Sequence, residues 1–179
     1  MNITWEIRMK TDYTHVKHEF EPVFNEKSQI LILGSMPSVK SREQQFYYGH
    51  PQNRFWKVLS KVFDEKLPET IEEKRRMVLK HHIALWDVIG SCDIIGSSDS
   101  SIKNVIGNDM NIILDNADIR TIYLNGTKAY ELFEKYCKPM IKKNVPTLVK
   151  LPSTSPANAA WNIEKLIACW QQICYTNQE

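Results

Sequence analysis

Two carboxamides, one carboxylate and a run of hydroxyls carry the chemistry that this sequence could perform. Asn53 stands in the segment HPQNRFW, Asn125 in NGT, Asp87 in WDVIGS, and Ser153, Thr154 and Ser155 open the segment STSPAN, which continues through Pro156, Ala157 and Asn158. A carboxamide cannot take a proton at neutral pH. It can orient a water by accepting one of its hydrogen bonds, or pair with a ligand edge that both donates and accepts. Asn53 suits the first duty and Asn125 the second. Gly126, beside Asn125, suits close approach of backbone to a ligand. Asp87 closes an apolar run, where a carboxylate needs a partner or a purpose. The hydroxyls and backbone amides of 153–158, ahead of a helix expected to start at Ala159, suit a phosphate. Tyr47, Tyr48 and His50 could stack on a flat ligand or close a pocket wall. Each residue also has a plainer reading: Asn53 and the 153–158 run can cap helices, Asp87 can order a loop, and the rings can belong to the core.

Other chemistries find no support. The four cysteines, Cys92, Cys137, Cys169 and Cys174, include no CxxC pair, so no iron–sulfur cluster is expected and reduced thiols are. His81-His82 lacks the spacing and companions of a metal site, and no metal is expected. Neither GxGxxG nor a phosphate-loop GKS or GKT occurs, which argues against a generic nucleotide enzyme. Only Lys40 and Lys128 border the candidate loops, so Schiff-base chemistry has no lysine at its centre.

Loops such as these need strands to hold them. Four short apolar runs, 29–33, 83–89, 120–124 and 147–151, end at Gly, Asp, Asn and Pro and read as buried strands. Helical spacing lies between them. Phe55, Val58, Leu59, Val62 and Phe63 recur at steps of three and four, Pro68 opens a charged helix over 69–82, and further helices are expected at 105–114, 127–136 and 159–175. The alternation predicts an α/β/α sandwich, a single three-layer domain around a four-stranded parallel sheet. Ligands of open α/β sheets bind at the carboxyl ends of the strands. Those ends are Gly34 to Ser38, Trp86 to Ser91, Asn125 to Thr127 and Pro152 to Ala159, and all four are expected on one edge. Residues 28–179 are read as one domain and 1–27 as an extension packed along it.

The segments ILILGSMPS, YYGHPQNRFW, LWDVIGS and LPSTSPANA together resemble the hypoxanthine-DNA (deoxyinosine) glycosylase branch of the uracil-DNA glycosylase superfamily. The likeness runs from about Phe20 to the last helix, and the fold it implies is the sandwich already expected. It implies a monofunctional enzyme without cofactor that flips a deaminated base out of DNA and hydrolyses its N-glycosidic bond in base excision repair. By the resemblance Asn53 is catalytic, with Ser35 beside it. Gly34, Met36, Pro37, Tyr48, His50, Asp87 and Asn125 bind the base. Ser153, Thr154, Ser155, Pro156, Ala157 and Asn158 hold phosphate or wedge the duplex. Two departures stand out. Ser35 occupies the place where many members carry Asp or Asn, and Ser or Thr occupies the place where many carry His. A mismatch-type uracil glycosylase and a catalytically silent nucleic-acid binder on the same fold are the alternative readings.

Bulk properties fit without deciding. The chain has 179 residues, 42% hydrophobic and 25% charged, with net charge +2, compatible with an anionic partner but not requiring one. The first twenty residues are charged throughout and no segment reaches the apolar length of a membrane span, so a cytosolic protein is expected, with a monomer as the default.

Overall fold

The computed structural model describes residues 12–96 and 98–175; the first eleven residues of the expected extension lie outside it. Its centre is a four-stranded parallel sheet built from β2 (Ile30–Gly34), β3 (Ile83–Asp87), β6 (Thr121–Asn125) and β7 (Thr147–Leu151). The order across the sheet is β3-β2-β6-β7. Every residue of β2 and β3 is buried, which is why both read as unbroken apolar runs. Register aligns Gly34 with Asp87 across the β2–β3 pair and Asn125 with Leu151 across β6–β7. Four polar strand ends therefore meet on one edge, as the sequence predicts.

Helices α1 (Val39–Gln44), α2 (Phe55–Val62), α3 (Ile71–Lys80), α4 (Asn111–Leu114), α5 (Thr127–Leu132), α6 (Ile163–Trp170) and α7 (Gln172–Tyr175) flank the sheet. α5 runs on through a π-helical turn at Phe133–Cys137. Thr70 and Glu73 form a capping box at the start of α3, satisfying two of its otherwise orphaned amides. α2 buries Phe55, Trp56, Val58 and Leu59, and the Phe55 ring meets Trp170 of α6 edge to face at 5.8 Å.

Three features depart from the sequence reading. A second, antiparallel sheet, ordered β1-β4-β5, joins β1 (Thr14–Lys17), β4 (Ile89–Ile94) and β5 (Lys103–Gly107). The apolar run from Ile83 is thus two strands in different sheets, parted at Val88, whose amide donates to Gly34 O at 2.9 Å. The helix expected at 105–114 is strand to Gly107 and helical only over Asn111–Leu114. Gly107 lies so close to the π turn that a Cβ would sit 2.9 Å from Cys137 Sγ. The last helix starts at Ile163 rather than Ala159, because the Asn162 side chain accepts from Lys165 N and fixes the first turn there.

Candidate active site

A cleft of about 1300 Å³ lies at the carboxyl edge of the parallel sheet. Its lining includes Gly34, Ser35, Met36, Pro37, Tyr48, His50, Asn53, Asp87, Asn125 and all of 153–158. The structure therefore brings together every residue singled out from the sequence. Ser98, Asp99 and Ser100 line it as well, with Lys40, Arg42, Lys128 and Lys150 around it.

Thr154 is the hub. It is fully buried, and its hydroxyl donates to Asn53 Oδ1 at 2.9 Å and accepts from Asn125 Nδ2 at 3.0 Å. Its amide donates to Asn125 Oδ1 at 3.0 Å. Asn125 therefore clasps Thr154 with both halves of its carboxamide, leaving one N–H and one lone pair. Asn53 Oδ1 also accepts from Phe55 N at 2.9 Å, capping α2. The capping role and the place in the cleft coexist. Both lone pairs of Asn53 Oδ1 are then used, so the expectation that Asn53 holds a water by accepting from it meets an occupied acceptor; its Nδ2 hydrogens have no partner among the described residues.

Arg54, which the sequence reading passed over, grips the loop from beneath. Its guanidinium donates to the carbonyls of Ser155 (2.7 Å), Asn158 (3.1 Å), Thr154 (3.3 Å) and Trp161. Its planar fork suits several acceptors at once. The phosphate reading assumed a helix N-terminus at Ala159; there is none, since the chain makes turns at 156–157 and 159–160, where Arg54 holds the carbonyls of Asn158 and Trp161, and the helix begins at Ile163. What faces the cleft is a loop with hydroxyls partly used within it, Ser153 Oγ accepting from Ser155 N at 3.2 Å and Ser155 Oγ from Ala157 N at 3.2 Å. Pro156 and Ala157 are exposed at its tip.

The opposite corner is built on Gly34. A Cβ there would lie 2.5 Å from Asp87 Oδ1 and 3.3 Å from Tyr48 Oη, so only glycine admits both groups. Asp87 Oδ2 accepts from His18 Nε2 at 2.8 Å, with both side chains buried. That histidine answers the question the buried carboxylate raised. Sixty-nine residues separate the pair, and no local signal in the sequence points to it.

Tyr47 and Tyr48 diverge. Tyr47 is core, its hydroxyl donating to Glu21 O at 2.9 Å. Tyr48 adopts φ +54, a left-handed conformation rare for a bulky side chain, and its ring stacks on Phe55 at 3.7 Å. Its hydroxyl is buried without a hydrogen-bond partner. Burial, and next the Asp87 charge, push the Tyr48 phenol up, while the neighbouring Asn125 side chain pulls it down. It therefore remains a donor at neutral pH. His50 Nδ1 accepts from Gln52 N at 3.2 Å, a turn contact at the rim. The Ser35 hydroxyl lines the cleft, while its backbone carbonyl accepts from Ile89 N at 3.0 Å. Among the described residues no group of three or more His, Cys, Asp or Glu side chains is arranged to hold a metal ion, and no helix is long and apolar enough to cross a membrane.

An open parallel sheet with a cleft of mixed polar and apolar lining at its carboxyl edge, walled by an aromatic ring, two carboxamides and a hydroxyl-rich loop, defines an α/β/α protein with its candidate ligand site where such sheets place one. The profile of the uracil DNA glycosylase superfamily matches residues 21–174, and the chain belongs to that superfamily. It is 37% identical over 145 residues to a hypoxanthine DNA glycosylase of Methanosarcina acetivorans, covering 80% of this chain and 89% of that protein. A hypoxanthine DNA glycosylase of Methanosarcina barkeri is 38% identical over 117 residues, 64% of this chain and 74% of the relative. The fold superposes with a TM-score of 0.74, at 31% identity, on the NMR solution structure of a Methanosarcina acetivorans protein described as a candidate uracil DNA glycosylase. The match covers 89% of this chain and 97% of that one.

Proposed function

We propose that this chain is a monofunctional DNA glycosylase that hydrolyses the N-glycosidic bond of deaminated bases, hypoxanthine foremost, with 28–179 as its catalytic domain and, of the extension 1–27, the described residues 12–27 packed upon it. The observation that carries this reading is the identity to two hypoxanthine DNA glycosylases, one of them across four-fifths of the chain. The cleft agrees with it in chemistry.

In this reading the target nucleotide leaves the stack and its base enters the cleft. The exposed Pro156-Ala157 tip fills the space the base vacates, as apolar wedges do. The hydroxyls and amides of 153–158 meet the flanking backbone. The Tyr48 ring, backed by Phe55, walls the base, and Asp87, Asn125 and the Gly34-Pro37 turn meet its edge. The bond from C1′ to the base nitrogen breaks with its electron pair leaving on the base. Water then adds its oxygen to C1′ and gives up a proton, and the departed base gains one. Asn53 holds that water through the Nδ2 hydrogens it has spare, and the Ser35 hydroxyl is the second contact.

The test uses end-labelled duplexes carrying a single hypoxanthine, uracil, xanthine or undamaged base, followed by alkali, with and without chelator. Chelator-insensitive cleavage at hypoxanthine is expected. Cleavage at uracil alone would make the chain a mismatch-type uracil enzyme, and no cleavage by folded, DNA-binding protein would make it a silent binder. For Asn53 the informative variant is Asn53→Asp. It keeps an oxygen for Phe55 N and Thr154 Oγ1 but replaces the amide hydrogens, whereas Asn53→Ala would also loosen the loop. Loss of turnover by about 100-fold with duplex binding kept is expected, within the usual range for one positioned catalytic group. Unchanged or raised turnover would refute the donor role.

A further inference from the structure

We propose that Asp87, held by His18 from the segment preceding the main sheet, is the acceptor that reads the ring N–H created by deamination, with the Tyr48 hydroxyl donating to the carbonyl beside it. This deepens the proposed function and rests on it.

The geometry sets two unlike groups side by side. Asp87 Oδ2 accepts from His18 Nε2 at 2.8 Å; Asp87 Oδ1 has no hydrogen bond among the described residues, and the residue lines the cleft. Tyr48 Oη is buried without a partner. Both oxygens flank the α-carbon of Gly34, within 2.5 and 3.3 Å of where a Cβ would be. One corner of the cleft thus offers a lone pair from a carboxylate next to a hydrogen from a phenol, neither used by the protein.

Deamination exchanges the hydrogen-bonding pattern of a base edge. Adenine presents a bare ring nitrogen beside an amino group; hypoxanthine presents a ring N–H beside a carbonyl. Cytosine and uracil differ in the same way. An acceptor next to a donor matches the lactam edge shared by hypoxanthine and uracil. Against adenine or cytosine the carboxylate would face another lone pair. A carboxamide free to rotate could satisfy either pattern, whereas a carboxylate carries no hydrogen to offer. Rejection of adenine and cytosine is therefore a property of one oxygen, of the kind that yields large discrimination because the wrong partner leaves a buried polar group unpaired. Guanine and thymine share the lactam edge and are not rejected by this oxygen.

His18 makes this oxygen dependable. It supplies the partner that a buried carboxylate requires and fixes which oxygen turns to the ligand. Its own position is set twice, by its amide donating to Gly90 O at 2.8 Å and by its ring lying 4.4 Å from Phe20. The pairing of β1 with β4 delivers it there. His18 is a positioning residue, and the segment that carries it is part of the specificity site.

The experiment measures kcat/KM on duplexes bearing hypoxanthine or unsubstituted purine, whose ring nitrogen carries no hydrogen, for the wild type and four variants. In Asp87→Asn the carbonyl oxygen still accepts from His18, so an amide N–H turns toward the base. Release of hypoxanthine is expected to fall about 100-fold, near the upper end for a hydrogen bond to a charged group, while release of purine, whose bare ring nitrogen can accept the new N–H, holds or rises. Tyr48→Phe is expected to lose about 10-fold on hypoxanthine alone. His18→Phe is expected to lower the hypoxanthine-to-purine ratio at least 10-fold, and His18→Gln, which keeps a donor at that reach, to restore it to within about threefold. A merely structural role would lower both substrates together and leave the ratio unmoved. If wild type releases hypoxanthine and Asp87→Asn keeps the wild-type ratio, the inference fails alone. If wild type releases no deaminated base, the proposed function fails and takes the inference with it.

Discussion

Thr154→Val removes one hydroxyl and nothing else of comparable size, and it tests whether the cleft is held together as described. The side chain is fully buried, so valine fills the same space. Lost are the bond donated to Asn53 Oδ1 and the one accepted from Asn125 Nδ2, at 2.9 and 3.0 Å. Asn53 Oδ1 keeps its bond from Phe55 N, and Asn125 Oδ1 keeps its bond from Thr154 N. What remains is one unpaired donor and one half-satisfied acceptor at the cleft wall. A buried group left without its partner costs about 1–3 kcal/mol. Cleft water recovers part of it, so about 2–4 kcal/mol for the pair is the expected loss. For a domain of this length each kcal/mol moves Tm by about 2–4 °C, giving a fall of about 4–16 °C. Thr154→Ser keeps the hydroxyl and loses one methyl, about 1 kcal/mol. Thermal melts and urea midpoints of the three proteins read this directly, and kcat/KM on a hypoxanthine duplex reads whether Asn53 and Asn125 have lost their aim. Valine within 1 °C of wild type, or serine worse than valine, would refute the hub.

Gly34→Ala puts a methyl 2.5 Å from Asp87 Oδ1, an overlap that must displace a carboxylate tied to His18; a loss of about 1–3 kcal/mol in urea unfolding is expected, together with at least a tenfold fall in kcat/KM. Burial pushes the Cys137 thiol up to about 12, so iodoacetamide at pH 8 should label the half-buried Cys169 and Cys174 first in peptide maps; rapid labelling of Cys137 in folded protein would contradict its packing. Hydrogen bonds from Lys80 and then His81 hold the Glu65 carboxyl below its ordinary value. A depressed folded-state value means Glu65 stabilises the fold above the unfolded value, near 4.5, and that this contribution is lost as pH falls through the folded one. Urea midpoints measured from pH 6 to 3 should therefore fall less steeply below about pH 4.5 in Glu65→Gln than in wild type.

Much of this architecture was legible in the sequence because buried parallel strands must be apolar along their whole length. Ile30–Gly34 and Ile83–Asp87 have no solvent face, and once they are recognised, topology places the polar residues that follow them on one edge. What escaped was set by contacts between residues far apart. β1 has one half-buried residue among four, too little patterning to mark a strand that exists because β4 offers it an edge. The run from Ile83 to Ile94 hid a change of sheet at Val88, since both sheets bury that stretch. The start of α6 depended on one Asn162 cap competing with good helix formers upstream, and Arg54 decided the contest by binding the carbonyls of the turn. His18 and Asp87 form a pair only after two sheets have folded.

Hydrogen-bond capacity explains why such a site is both rigid and receptive. Its side chains spend part of their capacity on one another and leave a defined remainder. Thr154 spends everything, which fixes the loop. Asn53 spends its oxygen and keeps two hydrogens; Asn125 keeps one hydrogen and one lone pair; Asp87 spends one oxygen on His18 and keeps the other. Tyr48 spends nothing, although its hydroxyl is buried, an arrangement that costs stability unless a ligand completes it. The unspent groups are thus a hydrogen from Tyr48, a lone pair from Asp87 and one of each from Asn125, gathered on the wall where a flat base would present its edge. Groups that fold the loops and groups that read the ligand belong to the same side chains, so a substitution that frees a loop also blurs the reading. The free energy left unclaimed in the empty cleft is what a ring N–H beside a carbonyl recovers on binding and the bare ring nitrogen beside an amino group of adenine or cytosine does not.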